Sequence, residues 1–156
     1  TADKTEWQSA EEKDVFFYVN LARMFPKEFA EKYIKSHIST SAYHRSLYTT
    51  LYKTPPMKPF LPDKSLFTSA ECFAKEAGKK GYVGHKRTKC ADGTFAECCS
   101  YGADDALGVV IQLLVDDKTP SLGHRKILLD PGYTKMGVST QPHKTYSTNT
   151  VMDIYR

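Results

Sequence analysis

Over the first half of the chain, apolar residues recur every three or four positions, which predicts helices. Ser9-Ala10-Glu11-Glu12 has the spacing of a capping box, with Ser9 at the N-cap and Glu12 at N3. Val15, Phe16, Val19 and Ala22 form the apolar face that follows. Pro26 ends this helix and can open the next one as its first residue. Phe29, Ala30, Tyr33 and Ile34 give the second helix a buried stripe that closes near His37. Ser39 to Lys53 predicts a third helix, in which Tyr43, Leu47, Tyr48, Leu51 and Tyr52 recur and Pro55-Pro56 call a halt. Met57 to Pro62 reads as an extended link, because its prolines cannot donate to regular pairing. Asp63 or Ser65 caps a fourth helix. Leu66, Ala70, Phe73, Ala74 and Ala77 line its inner face, and Gly78 and Gly81 end it.

Beyond Gly81 the pattern changes. Tyr82 to Glu97 has no period and reads as irregular chain; a long irregular stretch inside a compact domain is often functional. Phe95 to Tyr101 predicts a short strand. Asp104 or Asp105 then caps a helix through about Val115, with a near-continuous apolar face of Ala106, Val109, Val110, Leu113 and Leu114. Asp116-Asp117 closes it, an unfavourable place for acid against the helix dipole. Met136 to Gln141 and Thr145 to Tyr155 read as two strands around a Pro142-His143-Lys144 turn, with Tyr146, Thr148, Thr150, Met152 and Ile154 alternating onto one face. Helices first, strands later and a closing hairpin make the fold class α+β.

At 156 residues the chain predicts one domain, residues 9–156, behind a polar, frayed segment 1–8. It opens on Thr1, as a recombinant fragment or a mature chain freed of its targeting peptide does. The net charge of +4 is interspersed, without the basic stripe of a nucleic-acid binder. The longest apolar stretch, Ala106 to Val115, falls far short of the roughly 20 residues of a membrane span. The four cysteines, Cys72, Cys90, Cys98 and Cys99, suggest one or two bridges if the protein is exported, and free buried thiols otherwise.

The residues able to carry chemistry are His85, Glu97, Asp116 and His124. Imidazole and carboxylate are zinc ligands, and also general acids and bases. They share no short motif such as His-Glu-x-x-His. His37, His44 and His143 read as surface or capping residues, and neither Ser100 nor Ser121 stands in a Gly-x-Ser-x-Gly elbow. His124 sits in the densest stretch of the chain, PSLGHRKILLDPGYTKMGVST (120–140), where an apolar turn and a Pro-Gly reversal lead into a strand.

That run, with Gly84-His85, Ala96-Glu97 and the helix before Asp116 standing upstream in order, resembles the CAP superfamily of cysteine-rich secretory proteins, venom allergens and plant pathogenesis-related proteins, in its bacterial branch. Asn20 and Arg23 also match the Asn-x-x-Arg of the family's first helix; on their own they read as a surface polar pair. The resemblance implies an α-β-α sandwich with a central antiparallel sheet between helical layers. It implies a cleft in which His85 and His124 hold a divalent metal, zinc by its ligand chemistry, with Glu97 and Asp116 as the catalytic acids. Asp117 is a close rival for the second acid. It further implies an extracellular or periplasmic protein that binds a lipid, glycan or protein ligand, with a zinc-assisted hydrolase as the alternative. Three residues depart from the pattern. Cys98 stands where the family usually has Asn and is a candidate to tie its segment by a disulfide. Leu113 stands where eukaryotic members tend to have Trp, and Asp116 where they have the longer glutamate.

Overall fold

A computed structural model describes residues 2–156. Along the chain run α1 (Ala10–Met24), α2 (Pro26–Phe29), α3 (Ala42–Lys53), β1 (Leu61–Pro62), α4 (Lys64–Lys80), β2 (Ala96–Tyr101), α5 (Ala106–Val115), α6 (Gly123–Leu128), β3 (Lys135–His143) and β4 (Ser147–Tyr155). α2 runs on through a π turn, Ala30–Ile34, and a 3-10 turn, Lys35–His37. The strands form one sheet in the order β1-β3-β4-β2. β3, β4 and β2 pair antiparallel, while β1 adds two residues parallel to β3, so the sheet is mixed rather than wholly antiparallel.

The sheet is covered on both faces. One face carries Met136, Val138, Met152, Ile154 and Cys98 into the large core beneath α1 and α5; the other carries Val151 and Cys99 against Ala70, Phe73, Ala74 and Ala77 of α4. This two-sided burial explains why β4 is apolar or buried at nearly every position rather than at alternate ones. The second helical layer lies very close. A Cβ on Gly137 of β3 would come within 2.0 Å of the Phe67 amide nitrogen, and one on Gly78 of α4 within 2.0 Å of the Pro142 carbonyl oxygen.

The predicted caps resolve in favour of Asp63 for α4, Asp105 for α5 and, for α3, Ser41 in place of Ser39. The Ser9–Glu12 capping box is present. Glu12 also reaches the sheet, its second carboxylate oxygen accepting from the Thr140 amide at 3.0 Å. In the segment before α1, Ala2, Thr5 and Gln8 are buried. Three expectations are corrected. Arg23 is buried, not a surface residue: it donates to the carbonyls of Lys58, Leu128, Asp130 and Tyr133 and lies over the Phe60 ring. His143 is buried at the end of β3, because its Nε2 donates to the Tyr82 carbonyl while Nδ1 accepts from the amides of Thr145 and Tyr146. Cys98 ties nothing: the bridge is Cys72–Cys90, and Cys98 and Cys99 are free and buried.

Gly137→Ala is therefore expected to lower stability by about 1–3 kcal/mol or more in chemical denaturation, because the obstructing atoms are backbone that cannot rotate away. An unchanged denaturation midpoint would mean that α4 sits further from the sheet.

Candidate functional site

β2 is an edge strand, and the candidate residues gather beside it. Successive side chains of a strand point to opposite faces. Glu97, Cys99 and Tyr101 thus share the α4 face, while Cys98 and Ser100 face α5. The Ser100 hydroxyl donates to the Gln112 side chain of α5.

The segment 82–95 lies over the α4 face and is held in two ways. Cys90 is bridged to Cys72 of α4, with the Cα atoms 5.9 Å apart. The Glu76 carboxylate, also on α4, accepts the amides of Thr88, Lys89 and Cys90. This irregular stretch is thereby fixed without secondary structure, and it delivers His85 and Arg87. His85 Nδ1 meets Glu97 Oε1 at 2.8 Å. Arg87 runs inward between the rings of Phe73 and Phe95, its side chain 3% exposed. Its Nη2 donates to Glu97 Oε2 and to both oxygens of Asp153, the latter at 3.0 and 2.9 Å. Asp153 pairs directly across from Glu97 in the sheet and is fully buried.

The other side of the cleft is built at the end of α5. Asp116 terminates α5 in the left-handed region, at φ 54°. The Arg125 side chain, also buried, reaches back to the carbonyls of Leu114 and Val115, at 2.6 and 2.8 Å. A guanidinium on the orphan carbonyls of a helix end offsets the dipole that makes acid costly there. The Asp116 carboxylate turns to the next helix, where Oδ2 accepts from the His124 amide at 2.9 Å and Oδ1 meets His124 Nδ1 at 2.8 Å. One acid thus ends α5, caps the first turn of α6 and grips the His124 ring. Asp117 is exposed and takes no part in this contact.

The fold brings all four candidates together. The His85 and His124 rings lie 6.3 Å apart between centroids, inclined at 38°. Each ring is held at Nδ1 by its own carboxylate, and among the described residues no protein group hydrogen-bonds either Nε2. A cleft of about 410 Å³ runs from His124 past Asp116 and Cys99 to Tyr101 and His44, and a hollow of about 320 Å³ lies beyond His85 and Glu97. Cys99 Sγ is 3.8 Å from His85 Nδ1 and 3.6 Å from Glu97 Oε1. One donor atom from each of His85, Glu97 and Cys99 fits within 4.8 Å, so this group can hold a metal ion.

Arg87, Asp153, Cys99 and Arg125 are the partners that reading the sequence missed. Asp153 carries the clearest signal, a carboxylate between Met152 and Ile154 in a strand with no turn nearby. Such a group needs a buried partner of opposite charge. The charges act as a unit. The hydrogen bond to Glu97 raises the His85 pKa, against the cost of burial. Burial alone would push Glu97 up, but hydrogen bonds from His85 and Arg87 outweigh it and hold the carboxyl below its ordinary value. Burial pushes Asp153 up, and desolvation beside Glu97 pushes the Cys99 thiol well up.

These shifts fix a pH window. Glu97, lowered from 4.5, contributes stability above its ordinary pKa and loses it as pH falls through the lowered value. His85, raised from 6.5, contributes below its ordinary pKa and loses it as pH rises through the raised value. The pair is worth most between about pH 4.5 and 6.5. In a proton NMR titration Glu97→Gln is expected to lower the His85 midpoint. A His85 midpoint indifferent to this change would mean that the two groups do not meet in solution.

A profile of the cysteine-rich secretory protein family matches residues 16–154. No curated protein matches the chain. The matched span contains the whole cleft, from the Arg23 contacts of α1 to Asp153 on β4, and the chain belongs to the cysteine-rich secretory protein (CAP) family.

Proposed function

We propose that this is a secreted or periplasmic CAP module of the bacterial branch whose cleft holds a divalent metal on Nε2 of His85 and His124. Its role in this reading is to bind or scaffold a lipid, glycan or protein ligand. The observation that carries the metal reading is the pair of imidazoles, each fixed at Nδ1 by a carboxylate, with neither Nε2 hydrogen-bonded among the described residues and the ring centroids 6.3 Å apart. Metal-ligating histidines ordinarily donate the other ring N–H to such a carboxylate, which orients the ring and raises its basicity. Neutral imidazole suits zinc, at Zn–N distances of about 2.0–2.1 Å. When bound, the ion supplies a Lewis-acid centre that fixes an oxygen-bearing ligand group in the cleft.

Binding is favoured over hydrolysis by the state of the acids. Both Glu97 oxygens are engaged, one by His85 and one by Arg87, and both Asp116 oxygens are engaged by His124. These contacts commit each carboxylate to orienting a ring, as an outer-shell partner of a metal-ligating histidine does. Glu97 and Asp116 are positioning groups in this reading, not the catalytic acids the resemblance implies. The Cys72–Cys90 disulfide supports an oxidising compartment, and among the described residues no helix is long and apolar enough to cross a membrane.

Calorimetric titration of metal-stripped protein with zinc is expected to give one-to-one binding at micromolar affinity or tighter at pH 7.5. At pH 5.5 it should weaken, since imidazole must be neutral to bind. The double variant His85→Ala/His124→Ala should lose it, and Asp116→Asn should weaken it about 10–100-fold. Binding that survives the double variant removes the histidine pair as the site.

A further inference from the structure

Cys99 has no role in the histidine-pair reading, yet its sulfur stands against the other side of His85. Cys99 and Glu97 are two residues apart on one face of β2, and Cys99 lines the cleft. Its neighbour Cys98 faces the opposite way, into the large core. We propose that His85 Nδ1, Glu97 Oε1 and Cys99 Sγ form a second, thiophilic cation site, an alternative to the Nε2 pair and independent of His124.

The distances suit an ion. Tetrahedral ligands at about 2.3 Å for sulfur and 2.0–2.1 Å for nitrogen or oxygen stand about 3.6 Å apart. Sγ lies 3.8 Å from Nδ1 and 3.6 Å from Oε1, so the sulfur is already placed. Only the hydrogen-bonded pair Nδ1–Oε1, at 2.8 Å, must open, and the His85 side chain is 56% exposed. That exposure leaves a coordination position open to water. The charge also favours a cation, because Glu97 and Asp153 set two carboxylates against the one guanidinium of Arg87. Thiolate with imidazole selects soft and borderline ions such as cadmium, cobalt(II) and zinc over magnesium or calcium.

The exchange balances as follows. The Cys99 S–H bond breaks, a sulfur–metal bond forms, and the thiol proton passes to the buffer. The hydrogen on His85 Nδ1 relocates to Nε2, which keeps the ring neutral and frees the Nδ1 lone pair for the ion. That relocation removes the Nε2 lone pair on which the His124 partnership depends. The two sites therefore exclude one another, and each chain holds one ion at His85.

The test is a cobalt(II) titration of the full chain without reductant, so that Cys72–Cys90 stays closed. A near-ultraviolet thiolate-to-cobalt charge-transfer band should rise to one equivalent. It should vanish in Cys99→Ser and persist in Cys98→Ser and His124→Ala, and cadmium affinity should fall at least about tenfold in Cys99→Ser. X-ray absorption of the zinc- or cadmium-loaded wild type, which needs no variant to fold, should show one sulfur ligand. A band that survives Cys99→Ser, or a metal shell of nitrogen and oxygen alone, overturns the proposal. Cobalt binding without the band, lost in His85→Ala/His124→Ala, overturns it while sustaining the histidine pair. A band retained in His124→Ala, with zinc affinity there unchanged, supports it and removes the pair.

Discussion

The cleft depends on Arg125 closing the open end of α5. Its guanidinium takes the carbonyls of Leu114 and Val115 and reaches on to the Tyr43 carbonyl and the Ser46 hydroxyl of α3. Burial lowers its pKa, with Asp116 pulling the other way, and the charge is offset by oxygens rather than by water. With those carbonyls satisfied, an acid can stand at a helix end where the dipole alone would disfavour it. Asp116 then turns to α6 and sets His124. Arg23 repeats the device, gathering the carbonyls of Leu128, which ends α6, and of Asp130 and Tyr133 beyond it, and anchoring them to α1. Two buried guanidinium groups thus position a short helix whose own six residues are too few to place it.

The facing wall is built from different parts to the same end. A disulfide and a carboxylate on α4 hold an irregular loop, and Arg87 links that loop to the two carboxylates of the sheet. Both walls deliver an imidazole gripped at Nδ1. The likeness of the two halves lies in this shared chemistry, carboxylate against ring nitrogen, and not in any likeness of their backbones.

Much of the fold was legible because its signals are local. The Ser9–Glu12 box, the apolar stripes of α1, α4 and α5 and the reversal at Asp130-Pro131-Gly132 each lie within one or two turns of chain. His85, Glu97, Asp116 and His124 were legible only through family resemblance, since no short spacing joins them. Reading failed where a polar residue finds its partner far along the chain. Arg23 meets oxygens more than 100 residues away, and His143 meets Tyr82 across the sheet end. Arg87 and Asp153 lie 66 residues apart. The default expectation for such residues is solvent, and only tertiary packing reverses it. The vicinal cysteines failed for another reason. Strand alternation sends Cys98 and Cys99 to opposite faces, so Cys72–Cys90 closes alone.

The central claim is that both cleft histidines are held at Nδ1 and present Nε2. Nitrogen-15 correlation NMR of the metal-free protein at neutral pH reads this directly, since it reports which ring nitrogen carries the hydrogen. The neutral forms of His85 and His124 should both be protonated at Nδ1, with Nε2 bare. His143, which donates from Nε2 to the Tyr82 carbonyl, should show the opposite tautomer in the same spectrum and so serves as an internal control. A hydrogen on Nε2 of either cleft histidine, with His143 as expected, would contradict the account, because the nitrogen offered to the cleft would then have no lone pair to give.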